Sequence, residues 1–348
     1  MARYWKLLAN VAREDDSYNC VSVLSESSES QRSENKIRRL LTRKLIYPAR
    51  IKFRCHGDVV HVLDHSWSDM LLFVPKNALK VVTVHDLIPL RYPGELSKSQ
   101  SARFRSWVGC LHLADAIIAV SQYTKDETSE LLGIEEKKIH VVPNGVNLPD
   151  PSPKTRMDLR NIDDQSFRIG SIGSTLMRKN LDIFPKTLAK LKENTQRQIV
   201  LVRAGAALSE GLAANIRHVI GSENLIEMGK LPDDELDHFY ASLDVLTVPS
   251  FYEGFGLPVL EGMAARVPVL ASNTSSLPEV GADLAFYFDP TSPEDFARSL
   301  TRILHEGVPV GHINSAYERA RSFSWRNSLE GVYRVYDELR AIQAAKTT

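Results

Sequence analysis

Val245-Leu-Thr-Val-Pro-Ser-Phe-Tyr-Glu-Gly-Phe-Gly-Leu-Pro-Val-Leu-Glu-Gly-Met-Ala-Ala265 reads as a short β-branched strand that turns and runs straight into a helix. Gly254 and Gly256 let the backbone approach a ligand closely, and Pro258 suits the first position of a helix. Phe255 and Leu257 complete the turn. The first amides of a helix have no intrahelical acceptor, and the positive end of its dipole lies there. Such a start suits an anion, a diphosphate above all. Glu261, about one turn inside the helix, is placed to accept from two vicinal hydroxyls, while Glu253 precedes the turn. Two glutamates eight apart are commonplace and also read as a capped, solvated helix start. The glycines and Pro258 between them make the string specific.

Strand–helix alternation of the same kind runs through the chain. Candidate strands fall at 19–24, 59–63, 80–84, 116–120, 140–142, 168–172, 198–203, 225–228, 245–248, 268–271 and 285–288. Leu181, Phe184, Leu188 and Leu191 recur at helical spacing over 181–194. Another helix is expected from Thr124, with Thr124 and Glu127 as a capping box, ending before Gly133. Alternation of this kind means an α/β fold, with parallel sheets covered by helices on both faces. At 348 residues the chain exceeds one core of about 150 residues, so two doubly wound domains are expected. Pro, Asn, Gly and Asp cluster at 144–154, which puts the domains at 1–147 and 148–323, with 324–348 as a final helix. Ligands of such sheets bind at the carboxyl ends of the strands.

Lys plus Arg and Asp plus Glu balance at 43 each, so no global field selects nucleic acid. The three cysteines are widely spaced without a CxxC, which argues against a disulfide framework or zinc site. No apolar run approaches the roughly 18–20 residues of a membrane span, and a cytoplasmic protein is expected. The stretch 32–54 carries nine cations against Glu34 alone, with Ile37, Leu40, Leu41 and Leu45 on one helical face. It reads either as a basic amphipathic helix for anionic lipid or a lipid-linked acceptor, or as a surface helix packing its leucines on the first sheet.

Gly173-Ser-Thr-Leu-Met-Arg-Lys-Asn180 follows a strand and presents Arg178 and Lys179 at a helix start. Cations there oppose the dipole, so an anionic ligand explains them economically. Gly173 and Ser174 open that turn. His85 and Asp86 end a strongly apolar strand, where Asp86 also suits a turn cap. Ser121, Asn144 and Arg203 end strands as well, a place that needs no ligand to explain a polar residue.

Ser250-Phe-Tyr-Glu-Gly-Phe-Gly-Leu-Pro-Val-Leu-Glu-Gly-Met-Ala264 resembles the E-x7-E signature of family 4 retaining glycosyltransferases of the GT-B fold. Val82-Thr-Val-His-Asp-Leu-Ile-Pro89, Ala119-Val-Ser-Gln-Tyr-Thr124, Val141-Val-Pro-Asn-Gly-Val146, Arg178-Lys-Asn-Leu181 and Ser272-Asn-Thr-Ser-Ser-Leu-Pro-Glu-Val280 match in order. The resemblance implies a nucleoside-diphosphate sugar bound by the second domain, with GDP-mannose as the first candidate, and a glycan or lipid-linked acceptor bound by the first. It implies that Lys179 binds phosphate and that Arg178 supplies a cation the family places about six residues earlier. It gives His85 and Glu253 to the sugar, Asp86, Ser121 and Asn144 to the acceptor side, and Arg203 to the donor. Without a D-x-D site, no metal or other cofactor is expected. The family opens with a strand and a glycine-rich loop, whereas this chain begins at Ala2-Arg-Tyr-Trp-Lys-Leu-Leu8, inside what resembles the first helix. That first strand is therefore expected to be missing. A sugar-nucleotide epimerase of the same fold and a non-catalytic partner subunit are the rival readings.

Overall fold

The computed structural model describes residues 8, 11, 12, 41–149, 162, 163 and 165–347. The expected strand at 19–24 and the 32–40 part of the basic stretch lie outside them. The chain divides into two units, one of residues up to Gly145 with Trp325 onward, the other Val146–Ser324.

In the first unit β1 (Val59–Val62), β2 (Leu79–Val84), β3 (Ala116–Ala119) and β4 (Ile139–Val141) lie side by side in sequence order, all parallel. Parallel strands joined by right-handed crossovers in that order send every connection over the same face. On that face Val82, Val84, Ile117 and Ala119 meet Tyr47, Ile51, Leu71, Phe104 and Val108. Alternate residues of a strand point to opposite faces, so Leu79, Val81, Ala116 and Ile118 need a cover from elsewhere. The last helix, Trp325–Thr347, supplies it with Leu329, Val332, Val335 and Leu339, joined by Leu8 and Ala12. Each such side chain contributes at most about 1.5–3 kcal/mol on burial.

Local signals set most helix ends. Ser97 and Gln100 form a capping box at Lys98–Gly109. The helix expected from Thr124 begins two residues earlier, at Gln122, because the Ser121 hydroxyl accepts the Thr124 amide. Glu127 is buried and accepts from Arg91 Nε at 2.7 Å and the Tyr123 hydroxyl at 3.3 Å. The helix stops at Gly133, whose φ of 65° is the left-handed stop the sequence suggests.

The second unit holds β5 (Phe167–Gly173), β6 (Ile199–Gly205), β7 (Leu225–Glu227), β8 (Val245–Val248), β9 (Val269–Ser272) and β10 (Phe286–Phe288), ordered β10-β9-β8-β5-β6-β7 and all parallel. The chain winds outward from β5 to β7, returns to pair β8 on the other side of β5, and winds outward again. Ile169, Leu201, Val245 and Leu270 share a core with Phe184, Leu188, Leu191, Phe296 and Leu300. The helix expected at 181–194 starts as a tight turn, Leu181–Ile183, and becomes α-helical over Phe184–Glu193, with Pro185 in its first turn. Among the described residues no helix is long and apolar enough to cross a membrane.

His61 in β1 ties the sheet to the last helix, with Nε2 2.8 Å from Thr83 Oγ1 and Nδ1 2.7 Å from the Tyr336 hydroxyl. Burial, helped by His85, holds its pKa at about 3, and burial holds His85 at about 4 although the Leu63 carbonyl opposes this. An unfolded histidine titrates near 6.5, so below that pH the unfolded chain takes up protons that the fold refuses. Stability from these two residues is therefore complete above about pH 6.5 and declines as pH falls toward 4. Thermal unfolding followed by circular dichroism from pH 7 to 4.5 is expected to show a falling midpoint. The fall should be shallower in His61→Gln; equal slopes would remove His61 as a cause.

Candidate functional site

The second sheet reverses its winding between β5 and β8, the place where open parallel sheets bind ligands at the carboxyl ends of their strands. Arg178 and Lys179 stand on the first loop and Glu253 on the second. Lys179 Nζ donates to Glu253 Oε1 at 2.5 Å, and Arg178 Nη1 lies 3.8 Å from Glu253 Oε2. These side chains are only 11–13% exposed, so water screens the trio weakly. The Phe251 amide donates to the Arg178 carbonyl at 2.8 Å, which stitches the two loops together.

Serines that sequence reasoning did not select fix Glu253. The Ser250 hydroxyl donates to Oε1 at 2.7 Å. Ser275 Oγ accepts the Glu253 amide at 3.0 Å, and the Ser276 hydroxyl donates to its carbonyl at 2.9 Å. Ser275 holds a φ of 55°, a left-handed conformation uncommon outside glycine and tolerated where surroundings impose it. Ser275 and Ser276 belong to the Ser272–Val280 motif, so that signal was present. Ser250, the second residue after β8, likewise opens the E-x7-E string.

Gly256 sits at the cap of helix Leu257–Ala264 with φ 93°, and a Cβ there would come within 2.8 Å of Leu277. Pro258 occupies the first turn as expected. Gly254 is buried, Leu257 and Pro258 are half-buried, and Phe255 is buried edge-on against Phe323 at 6.1 Å. The Phe255 side chain, expected at the donor, is a packing element. Glu261 Oε2 accepts from the Tyr240 hydroxyl at 2.8 Å, so this carboxylate is oriented rather than merely solvated. Tyr240 ends the helix Asp233–Ala241, and nothing in the sequence points to it.

Arg203, expected at the donor, ties down the β5 loop. It donates to Ser171 Oγ at 3.1 Å and to the carbonyls of Gly173, Ser174 and Ala206 at 3.0–3.2 Å. Burial lowers its pKa. Gly173 pairs in register with Gly205, where a Cβ would fall 2.1 Å from the Gly173 carbonyl oxygen, so glycine is required for the two strand ends to meet. The half-buried Ser174 keeps a hydroxyl with no hydrogen-bond partner among the described residues.

In the first unit His85 directly follows β2, buried, with Nε2 2.8 Å from the Leu63 carbonyl. A carbonyl only accepts, so Nε2 carries the proton and the ring is neutral, in keeping with its lowered pKa. Its amide donates toward His65 Nδ1 at 3.4 Å, and the two rings lie 6.4 Å apart. Asp86 accepts the Ile88 amide at 3.2 Å, the turn cap its place allows. Ser121, expected on the acceptor side, is spent as the helix cap described above. Asn144 is buried, and its Oδ1 has no hydrogen-bond partner among the described residues.

Residues 12–149 match the Glycosyltransferase Family 4 model and residues 155–323 the Glycosyl transferases group 1 model. The chain is 27% identical over 287 residues to the serotype-specific mannosyltransferase WbdA of Escherichia coli, covering 77% of this chain and 35% of that protein. It is 39% identical over 102 residues to the O-antigen chain mannosyltransferase B of Escherichia coli, covering 29% and 26%. To the O-antigen chain mannosyltransferase RfbU of Salmonella typhimurium it is 25% identical, covering 71% and 67%. The chain thus spans only about a third of WbdA's length. A glycosyltransferase from Rickettsia africae superposes with a TM-score of 0.65 at 21% identity over 92% of this chain and 84% of that one. Anabaena HepE in complex with UDP and glucose gives 0.69 at 18% identity over 86% and 83%. By its ordered motifs, by both family models and by its pair of parallel-sheet units, the chain belongs to the family 4 glycosyltransferases of the GT-B fold.

Proposed function

We propose that the chain transfers a mannosyl group from a nucleoside-diphosphate sugar, with GDP-mannose as the first candidate, to a glycan or lipid-linked acceptor in cytoplasmic steps of cell-surface polysaccharide synthesis. The convergence of Arg178 and Lys179 on Glu253 at the β5/β8 switch point carries the reading. The choice of sugar draws support from relatives named as mannosyltransferases.

The hard step is departure of the diphosphate, on whose oxygens negative charge grows. Lys179, Arg178 and the amides at the Leu257–Ala264 helix start are preorganised for that charge, the arrangement from which an enzyme gains most. These groups act in place of a metal ion. Glu253 is the counter-ion of Lys179 until the donor arrives; the diphosphate then takes the lysine and leaves the carboxylate to the sugar. Glu261, aimed by Tyr240, receives the ribose hydroxyls, and His85 is assigned to the sugar hydroxyls by resemblance. The reaction proceeds with retention on the sugar's front face, the acceptor hydroxyl giving its proton to the departing phosphate.

Glu253→Gln removes the anion that competes for Lys179 while keeping the side chain's shape. Turnover is expected to drop by on the order of a hundredfold or more, whereas calorimetry should find GDP bound no more weakly than by the unaltered protein. Undiminished turnover would overturn the role of Glu253. Identity of the donor is read from a thermal-shift screen of GDP-, UDP- and dTDP-sugars. The true donor at a hundredfold excess over its Kd should stabilise the fold by about 2.7 kcal/mol, and a screen in which none raises the midpoint would sink the donor site itself.

A further inference from the structure

Gly173 ends β5, and the loop beyond it carries Arg178 and Lys179. One side chain from the neighbouring strand decides how this loop leaves. Arg203, buried in β6, donates through Nη2 to the carbonyls of Gly173, Ser174 and Ala206 at 3.0, 3.1 and 3.2 Å, and through Nη1 to Ser171 Oγ at 3.1 Å. The Ala206 amide reaches the same Gly173 carbonyl at 3.1 Å. Along a regular strand successive carbonyls point to opposite neighbours, whereas here two in a row turn to one guanidinium. A buried arginine ordinarily meets a carboxylate, yet among the described residues Arg203 forms no ion pair. Glu227, opposite it on β7, accepts instead from the Leu208 amide at 2.8 Å and pairs with Arg217 at 3.4 Å. The partners of Arg203 are carbonyls and one hydroxyl, so its effect is to set peptide planes.

Fixing a carbonyl also fixes an amide, because a trans peptide is planar and its C=O and N–H point in opposite directions. With the Gly173 carbonyl turned to β6, the Ser174 amide points to the other side of β5, where β8 pairs. With the Ser174 carbonyl on Arg203 as well, the Thr175 amide points away from the guanidinium. Neither amide donates a hydrogen bond among the described residues. Such donors take water or a ligand. We propose that Arg203 is a positioning residue of this site: by drawing two successive carbonyls onto its guanidinium, it presents the Ser174 and Thr175 amides to an anion, the phosphoryl oxygens of a nucleoside diphosphate. Turning the carbonyls away matters as much, since a carbonyl oxygen facing that anion would repel it. A lysine would keep the charge but lacks the planar fork that holds several acceptors in one geometry. This role rests on the donor reading above and adds to it two backbone donors and the side chain that aims them.

Backbone NMR of the full chain, titrated with GDP and in turn with UDP, tests this. On binding, the Ser174 and Thr175 amide resonances are expected to move downfield, together with the Leu257 amide at the helix start. In Arg203→Lys the response of the two loop amides should be lost and the Kd should rise roughly tenfold, while the Leu257 amide still responds. A response of Leu257 in the unaltered protein without one at Ser174 and Thr175 would overturn the role of Arg203 and leave the donor reading standing. Silence of all three would overturn both together. A shift of the Arg203 Nε–H resonance alone would put the guanidinium itself on the anion and end the positioning role. So would an Arg203→Lys protein with undiminished affinity and the same amide response. If that substitution lowers the unfolding midpoint, the resonances of the unaltered protein decide alone.

Discussion

Parallel strands deliver their outgoing loops to one edge, and in the second unit that rule acts on two neighbours whose winding directions differ. Lys179 and Glu253 are 74 residues apart in sequence, yet they meet because β5 and β8 pair side by side. Much of the candidate site follows from that adjacency. The β5 loop must leave its strand at Gly173, so its carbonyls need a donor, and Arg203 on the next strand provides one. The β8 loop must turn sharply into a helix, so Gly256 takes the left-handed conformation and the neighbouring serines tie Glu253 down. Change the strand order and these side chains would have no common edge.

The first unit solves a different problem. With strands in sequential order, its connections cover one face alone, and the second face would be left to water. Trp325–Thr347 closes it after the chain has completed the other unit, so the sheet's cover comes from far along the sequence. Polar contacts fix the arrangement on top of the apolar ones: His61 hydrogen-bonds Tyr336 of that helix on one side and Thr83 of β2 on the other. A neutral, fully bonded imidazole in such a place specifies the seating of the helix, which leucines and valines alone define loosely.

Strand positions and the glycine–proline turn into the Leu257–Ala264 helix were legible because both are written in local chemistry. β-branched runs mark β2, β3, β6 and β8 to within a residue or two, and Gly256 with Pro258 announces the turn into its helix. Partners that depend on tertiary adjacency were not legible. Tyr240 carries no motif and reaches Glu261 only because a helix end is brought against it. Arg203 ends a strand as a donor ligand might, but the carbonyls awaiting it exist only once Gly173 has folded over. The Thr124–Glu127 spacing fits a capping box, yet Ser121 one turn earlier wins, since the backbone leaves β3 extended up to that residue. The same competition explains why Leu41 and Leu45 face water: their periodicity is real, but Tyr47 and Ile51 bury more surface on the sheet and set the rotation of the helix.

The trio Arg178, Lys179 and Glu253 has a net charge of +1, and that value has a physical reason. Two adjacent cations beside the positive end of a helix would repel each other and the dipole, and without a ligand they would swing into water. Glu253 holds them at low exposure by giving Lys179 a carboxylate partner. The cations are thereby ordered by a partner on the neighbouring loop. The trio's remaining positive charge favours an anion beside it. Weaker pairing would leave the lysine disordered, and a second carboxylate would cancel the attraction. A single glutamate, fixed by Ser250 and Ser275, satisfies both requirements.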